Sequence, residues 1–194
     1  ANILCCSLQT AKEATLKIGY PAIVKPIDNR GSTGVSIVNK NFELAESVYL
    51  ALSNSPAKLF LVEEFIIGEV FLVEGYTKNL EHQTLSIGKK QMDETYAYMN
   101  ADILFTNTKK YYQEIFDKHQ EIARTLSIDF GATSAEYIVN KEGIWPIEFA
   151  NRGGGVCISS IVNPVISGLD TCQQLVADSQ GKSEQRRFER TKKY

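Results

Sequence analysis

Apolar residues come in short blocks along this chain, and the spacing within each block changes from segment to segment. Residues 10–19 read as a short helix, with Thr10 and Glu13 at capping-box spacing and Gly19 able to stop it. Residues 22–26 and 35–38 are apolar runs of strand length on either side of a polar loop. Leu44, Val48 and Leu52 share one face of a helix predicted over 41–54, with Asn41 as its cap. Strands are predicted at 59–65 and 70–77, separated by Gly68, and a further one at 84–92. The clearest helix covers 109–127, where Tyr112, Ile115, Phe116, Ile122, Ala123 and Leu126 recur at helical spacing. Residues 133–140 and 144–150 form a predicted hairpin around a three-residue loop, 141–143, with Gly143 in its left-handed position. A last helix is predicted over 169–179. Strand pairs and helices in this order predict an α+β fold with antiparallel sheets. A small unit covers 1–62 and a larger one 63–194.

Bulk composition adds exclusions. Hydrophobic residues make up 43% and charged residues 23% of the 194, with a net charge of −2. That balance gives no global attraction to nucleic acid or to an anionic membrane. No apolar run reaches the length of a membrane span, and the first residues do not read as a signal peptide. The four cysteines (Cys5, Cys6, Cys157 and Cys172) show no C-x-x-C pair and read as free, mostly buried thiols of a reducing, cytoplasmic setting. His82 and His119 lack metal-site spacing. The basic end, "GKSEQRRFERTKKY", reads as a solvated segment.

Three segments carry candidate chemistry. In "YPAIVKPIDNRGSTGVSIV", Gly31, Ser32, Thr33 and Gly34 could present backbone N–H groups to a phosphate, with Lys25 as the cation; a plain glycine hairpin is the alternative. In "LVEEFIIGEVFLV", backbone groups between two lobes could receive an adenine, with Phe65 and Ile66 against the ring. Glu63 could accept from the exocyclic amine and Glu69 could hold ribose; a strand, turn and strand with exposed glutamates is the alternative. In "SAEYIVNKEGIWPIEFANRGGG", the three-residue loop places Glu136 opposite Glu148. Two like charges so placed are destabilising unless a cation joins them, and Mg²⁺ favours carboxylates combined with phosphate oxygens. Arg152 and Gly153 to Gly155 follow, offering a fixed cation and open backbone donors to an anion.

These segments, in this order, resemble the ATP-grasp superfamily, most of all its carbamoyl phosphate synthetase and carboxylate–amine ligase branches. The resemblance implies two α+β subdomains sandwiching ATP, the first being a small lid. It implies Lys25 on the α- and β-phosphates and a loop containing Arg30, Gly31, Ser32, Thr33 and Gly34 closing over them. Glu63 and the backbone of Glu64, Phe65 and Ile66 would take adenine, and Glu69 ribose. Glu136 and Glu148 would carry Mg²⁺ or Mn²⁺, and Arg152 would stabilise the transferred phosphate. The implied reaction activates a small-molecule carboxylate as an acyl-phosphate for attack by an amine. The alternative is a non-catalytic nucleotide-binding or regulatory module. The resemblance gives no nucleic-acid or membrane partner and leaves a homodimer of the full-length protein open. Two departures stand out. The family ending E-x-N-x-R has Ala150 at its Asn position, with Asn151 one residue late and on the opposite face of a regular strand. The family's N-terminal domain, and a further ATP-contacting lysine, would precede Ala1, so the chain is expected to be the ATP-binding piece of a longer enzyme. The acceptor pocket is expected to draw on 89–110.

Overall fold

The computed structural model describes residues 1–93, 99–105, 112–155 and 157–182, with backbone alone for 92, 93 and 99–102. Residues 183–194 of the expected basic end, and 94–98 and 106–110 of the 89–110 segment, lie outside these residues. The chain divides into two compact units, Ala1–Ile66 and Ile67–Tyr194.

The first unit is a four-stranded antiparallel sheet in the order β1 (Asn2–Cys5), β4 (Phe60–Glu64), β2 (Ala22–Pro26), β3 (Ser36–Val38). Its alternation is regular: Ala22, Val24, Val38, Phe60 and Val62 are fully buried, while Ile23, Lys25, Leu61 and Glu63 occupy the other face. The buried face packs against helices α1 (Leu8–Ile18) and α2 (Leu44–Ser53) through Ala11, Ala14, Leu44, Val48 and Ala51. The small alanines of α1 let the helix approach the sheet closely.

Several local expectations are corrected here. The capping box of α1 is built by Ser7 and Thr10, not by Thr10 and Glu13. Ser7 Oγ accepts the Thr10 N–H at 3.2 Å and Thr10 Oγ1 accepts the Ser7 N–H at 3.1 Å. Glu13, a turn further on, accepts instead from Gln9 Nε2 at 2.9 Å. Asn41 does not cap α2; it opens a 3₁₀ turn, Asn41–Glu43, with no side-chain cap. Strand β1 lies in a segment without a strand signal, because four residues are too few for an alternation to register.

The second unit holds a five-stranded antiparallel sheet in the order β7 (Met99–Leu104), β6 (Glu81–Asp93), β5 (Glu69–Lys78), β8 (Phe130–Asn140), β9 (Gly143–Ala150). One face, with Phe71, Val73, Ile87, Ala135, Tyr137 and Val139, is covered through Ile115 and neighbouring residues of α3 (Tyr112–Thr125). The start of the expected helix, before Tyr112, lies outside the described residues. After β9 the chain makes a wide π-type turn, Ile158–Val162, then α4 (Asn163–Ser167) and α5 (Thr171–Ser179). The turn and α4 were not foreseen. Asp170 caps α5, accepting the N–H groups of Cys172 and Gln173 at 3.1 and 3.0 Å. Asp178 fastens α5 to β5, accepting from Tyr76 Oη at 2.7 Å and pairing with Lys78 Nζ at 2.8 Å. Of the cysteines only Cys5 is buried; Cys6, Cys157 and Cys172 are exposed, contrary to the expectation of mostly buried thiols.

Both histidines are structural parts of this second unit. His119 has no solvent exposure. Its Nδ1 meets Tyr137 Oη at 2.8 Å and its Nε2 meets Thr133 Oγ1 at 3.0 Å. The ring stacks on Phe149 at 4.9 Å and lies 4.9 Å from the His82 ring. Burial, with the Arg124 charge, lowers the His82 pKa to about 4. Burial, with His82 itself, lowers that of His119 to about 3. Both rings stay neutral in the folded protein, whereas the unfolded chain takes up protons below the ordinary value of 6.5. Their stabilisation is complete above that value and is lost as pH falls toward 4. Unfolding free energy, measured by denaturant titration, should therefore fall by about 1–3 kcal/mol between pH 7 and 5. In His119→Gln that pH slope should be shallower, whatever the variant's absolute stability.

Candidate functional site

The β8–β9 hairpin turns through Lys141 and Glu142 alone. Asn140 pairs with Gly143, Val139 with Ile144, Ile138 with Trp145 and Tyr137 with Pro146. The expected three-residue loop is not formed, because Asn140 closes a tighter one. Its Oδ1 accepts the N–H groups of Glu142 and Gly143 at 2.9 and 3.2 Å, as asparagine does in turns. A bulge then absorbs Ile147, and past it Glu136 faces Glu148 and Ser134 faces Ala150. The shorter turn and the extra bulge residue cancel, so the two glutamates meet in the register that the longer loop would have produced.

Directly opposite carboxylates on one sheet face repel one another. Each here meets a cation from a different part of the unit. Lys90 Nζ, on β6, pairs with Glu136 Oε1. Arg152, just beyond β9, approaches Glu148 Oε1 at 3.7 Å and donates to Gly153 O at 3.1 Å. The Arg152–Glu148 contact is well exposed, so it contributes no more than about 1 kcal/mol. The Lys90 side chain is only 12% exposed. Ala150 adds no ligand atom beside the carboxylates. Asn151 lies elsewhere, with its Oδ1 3.6 Å from the position a Cβ on Gly131 would take.

Residues 153–155 read as an open, donor-rich loop, but the structure shows a clamped one. Gly154 N–H donates to Glu74 Oε2 at 2.8 Å, and Ser159 Oγ donates to Gly154 O at 3.1 Å. A Cβ on Gly153 would stand 2.1 Å from Ser159 Oγ, and one on Gly154 would stand 2.4 Å from Glu74 Oε1. Glycine is required here by close packing. Glu74 itself is fully buried in the middle of β5, and its Oε1 has no hydrogen-bond partner. Burial pushes its carboxyl above the ordinary carboxylate value, against the opposing pull of Ser134, the Gly154 N–H, Asn163 and Arg152. Behind it Ser86 Oγ donates to Asn163 Oδ1 at 2.7 Å. Sequence reasoning missed both Glu74 and Lys90. Glu74 sits inside an apolar strand run, where a lone carboxylate is itself the signal that was available.

Glu69 and Lys89 pair with each other. The pleat sets them with Phe71 on the face opposite to Glu136, so the structure does not gather Glu69 with the facing carboxylates.

In the first unit, Lys25 Nζ lies 2.7 Å from Glu63 Oε2, on the sheet face away from the helices, with both side chains about four-fifths buried. The loop after β2 holds Gly31 at φ 62°, Ser32 at φ 57° and Gly34 at φ 82°. Gly34 passes so close to Pro26 and Asn54 that a Cβ would stand 2.9 Å from each. Thr33 N–H is already bonded to Arg30 O at 3.3 Å and Val35 N–H to Ser32 O at 3.2 Å. Arg30 is exposed. Further along, Glu64 N–H donates to Ala1 O at 3.1 Å and Phe65 N–H to Pro21 O at 3.4 Å. Two of the backbone donors expected to meet adenine thus already have partners, and Ile66 ends the unit.

A sequence profile of the ATP-grasp domain matches residues 18–160. The chain belongs to the ATP-grasp family. Among curated relatives it is 26% identical over 136 residues to the carbamoyl phosphate synthase large chain of Xanthomonas axonopodis pv. citri (strain 306), covering 68% of this chain and 13% of that one. Among solved structures, an L-amino acid ligase from Bacillus licheniformis matches 94% of this chain and 45% of its own with TM-score 0.75 and 19% identity. The biotin carboxylase domain dimer of a 2-oxoglutarate carboxylase from Hydrogenobacter thermophilus, described as a complex with MgADP, ADP and bicarbonate, matches 93% of this chain and 41% of its own with TM-score 0.73 and 17% identity. The α+β arrangement of two antiparallel sheets with helices is accordingly the ATP-grasp fold. This ATP-grasp chain spans less than half the length of each of these three relatives.

The clamp on the glycine loop has a measurable consequence. Gly154→Ala should lower unfolding free energy by about 1–3 kcal/mol, because the new methyl overlaps Glu74. Gly155→Ala, where a Cβ meets nothing within 4 Å, should change it by less than about 0.5 kcal/mol. Chemical denaturation of the two variants side by side checks this.

Proposed function

We propose that this chain is the ATP- and Mg²⁺-binding domain of an ATP-dependent ligase that activates a carboxylate as an acyl-phosphate for attack by an amine or similar nucleophile. The observation that carries this reading is the pair Glu136 and Glu148, held face to face by the β9 bulge and followed at once by Arg152. Two carboxylates on one sheet face suit Mg²⁺, which takes one or two protein carboxylates and fills its octahedron with water and phosphate oxygens. Among the described residues there is no group of three potential metal ligands, so the remaining positions fall to water and phosphate. Bound there, the cation would neutralise charge on the transferred phosphoryl group.

The chain's own residues divide the rest. Lys25 binds the α- and β-phosphates, and Arg30, Gly31, Ser32, Thr33 and Gly34 close over them. Glu63 and the backbone at Glu64, Phe65 and Ile66 receive adenine; since two N–H groups there are engaged, the carbonyls contribute most. The closeness of Lys25 to Glu63 suits neighbouring parts of one nucleotide. Glu69 is assigned to ribose. Arg152 offsets the charge that develops as the terminal phosphoryl group passes to the carboxylate, leaving ADP; the amine then attacks the acyl carbon and phosphate departs. Catalysis of this kind is mostly positioning and charge neutralisation. The small unit acts as a lid and the larger one carries the metal carboxylates. We place the protein in the cytoplasm, with small-molecule partners and no nucleic acid; none of the described helices is long and apolar enough to cross a membrane. The dimer named for the Hydrogenobacter relative supports a homodimer for the full-length protein. Ala150, at the family's asparagine position, favours a second reading, a nucleotide-binding module without ligase activity.

Calorimetric titration with ADP and Mg²⁺ tests the nucleotide assignment. Wild type should bind, Lys25→Ala should bind at least about tenfold more weakly, and Glu148→Gln should lose most of the gain that Mg²⁺ gives. Absence of binding by the wild type overturns both readings. ADP release by the full-length protein across panels of carboxylates and amines separates the ligase from the silent module.

A further inference from the structure

We infer that Glu74 is a positioning residue for Arg152: from inside the sheet it holds the backbone of the glycine loop, and so sets the place from which Arg152 meets the terminal phosphate of a nucleotide. The inference rests on the nucleotide reading above and adds a buried carboxyl that the resemblance does not assign.

Glu74 stands in a cross-strand row with Ser86 of β6, Ser134 of β8 and Ala150 of β9. The neighbouring row on the same face holds Leu72, Glu136 and Glu148, and two such rows lie about 7 Å apart. The Glu74 carboxyl is thus fully buried one row away from the facing carboxylates. Its Oε2 accepts the Gly154 N–H at 2.8 Å, and Gly154 O accepts from Ser159 Oγ at 3.1 Å. Thr171 Oγ1 donates to Ser159 O at 2.8 Å, which ties Ser159 to the start of α5. The loop is therefore held from the sheet on one side and from the π-type turn on the other, two residues after Arg152.

Stability alone does not account for this carboxyl. Its Oε1 has no hydrogen-bond partner, and well-packed apolar residues often replace buried charged groups with no loss of stability. An apolar residue would not, however, fix one N–H of the glycine loop. Arg152 depends on that fixture. Its side chain is well exposed, lies 3.7 Å from Glu148 Oε1 and donates to the carbonyl of its own neighbour, Gly153. An exposed ion pair at that distance orders a side chain only weakly, so the main chain decides where the guanidinium stands. With the loop released, placing Arg152 on a phosphate would cost conformational entropy that the clamped loop has already given up. ADP lacks the terminal phosphate, so the effect belongs to a triphosphate.

The test compares two probes by calorimetry at saturating Mg²⁺: ADP, and an ATP analogue with an imido bridge between its β- and γ-phosphates. The ratio of the two affinities isolates the terminal phosphate. Wild type should favour the analogue by about tenfold, and Arg152→Ala should lose most of that preference. Glu74→Leu should lose at least about threefold of it while its ADP affinity stays within about twofold of wild type. Glu74→Gln, which keeps an acceptor for the Gly154 N–H, should retain it. In the double variant Glu74→Leu with Arg152→Ala the preference should fall no further than in Arg152→Ala alone, since both act through one contact. Ser159→Ala, which releases the other side of the loop, should lower the preference by about twofold and serves if Glu74→Leu does not melt as a folded protein. A merely structural role predicts otherwise: ADP affinity falls in parallel, or the two losses add. Either result, or a preference left intact in Glu74→Leu (in Ser159→Ala where that variant stands in), overturns the positioning role while the nucleotide reading stands. If wild type binds no ADP, the nucleotide reading falls and this inference falls with it.

Discussion

Two carboxylates that face each other across adjacent strands set the terms for the second unit. Their repulsion has to be offset, and the fold does so from both sides, with Lys90 reaching over β5 and Arg152 reaching back from the end of β9. The facing itself depends on a single residue. Without the bulge at Ile147 the tight turn at Lys141 and Glu142 would place Ile147 opposite Glu136, and Glu148 would fall on the helix-covered face. A charged side chain there would meet Phe71, Tyr137 and Ile115. The register of the hairpin and the burial pattern of the sheet are therefore one constraint, and the acidic pair is its product.

The same economy of space governs the loop that follows. Gly153 and Gly154 are held between Ser159 and Glu74, each too close to admit a methyl group. A buried carboxyl in the middle of β5 is costly to place unless it is neutral or bonded, and Gly154 N–H supplies the bond. This gives the backbone near Arg152 a fixed position relative to the sheet. The Arg152 side chain is well exposed, while its main chain is anchored two residues on by the Gly154 N–H bond to Glu74.

Much of this was legible in the amino-acid order. Period-two alternation located the strands around Lys25 and Glu63, and helical periodicity located α3, because burial on one face dictates both patterns. The pairing of Glu136 with Glu148 was also legible, although by a count that had two compensating errors, a loop one residue too long and a bulge unseen. Bulges leave little trace in one sequence, since the extra residue can be any apolar one, as Ile147 is. The cap of α1 was misplaced for a related reason: Thr10 can serve at N3 as well as at the cap, and only the Ser7 N–H reaching Thr10 Oγ1 decides which. Lys90 could not be found by local pattern at all, since its partner lies 46 residues away on a strand that is not its neighbour.

The ion pairs share a design. Glu63 holds Lys25, Glu69 holds Lys89 and Glu136 holds Lys90. The first pair belongs to the first unit, and the other two lie on opposite faces of the second unit's sheet. Every one of these glutamates, Glu148 included, has a cation of the protein beside it. A half-buried carboxylate is costly unless it is paired, and in each unit the chain meets that cost with a long basic side chain from another strand or from the end of the same one. The charges on the sheet faces are thus balanced locally, pair by pair, and removing the lysine of the less exposed pairs, Lys25–Glu63 or Lys90–Glu136, leaves the glutamate uncompensated.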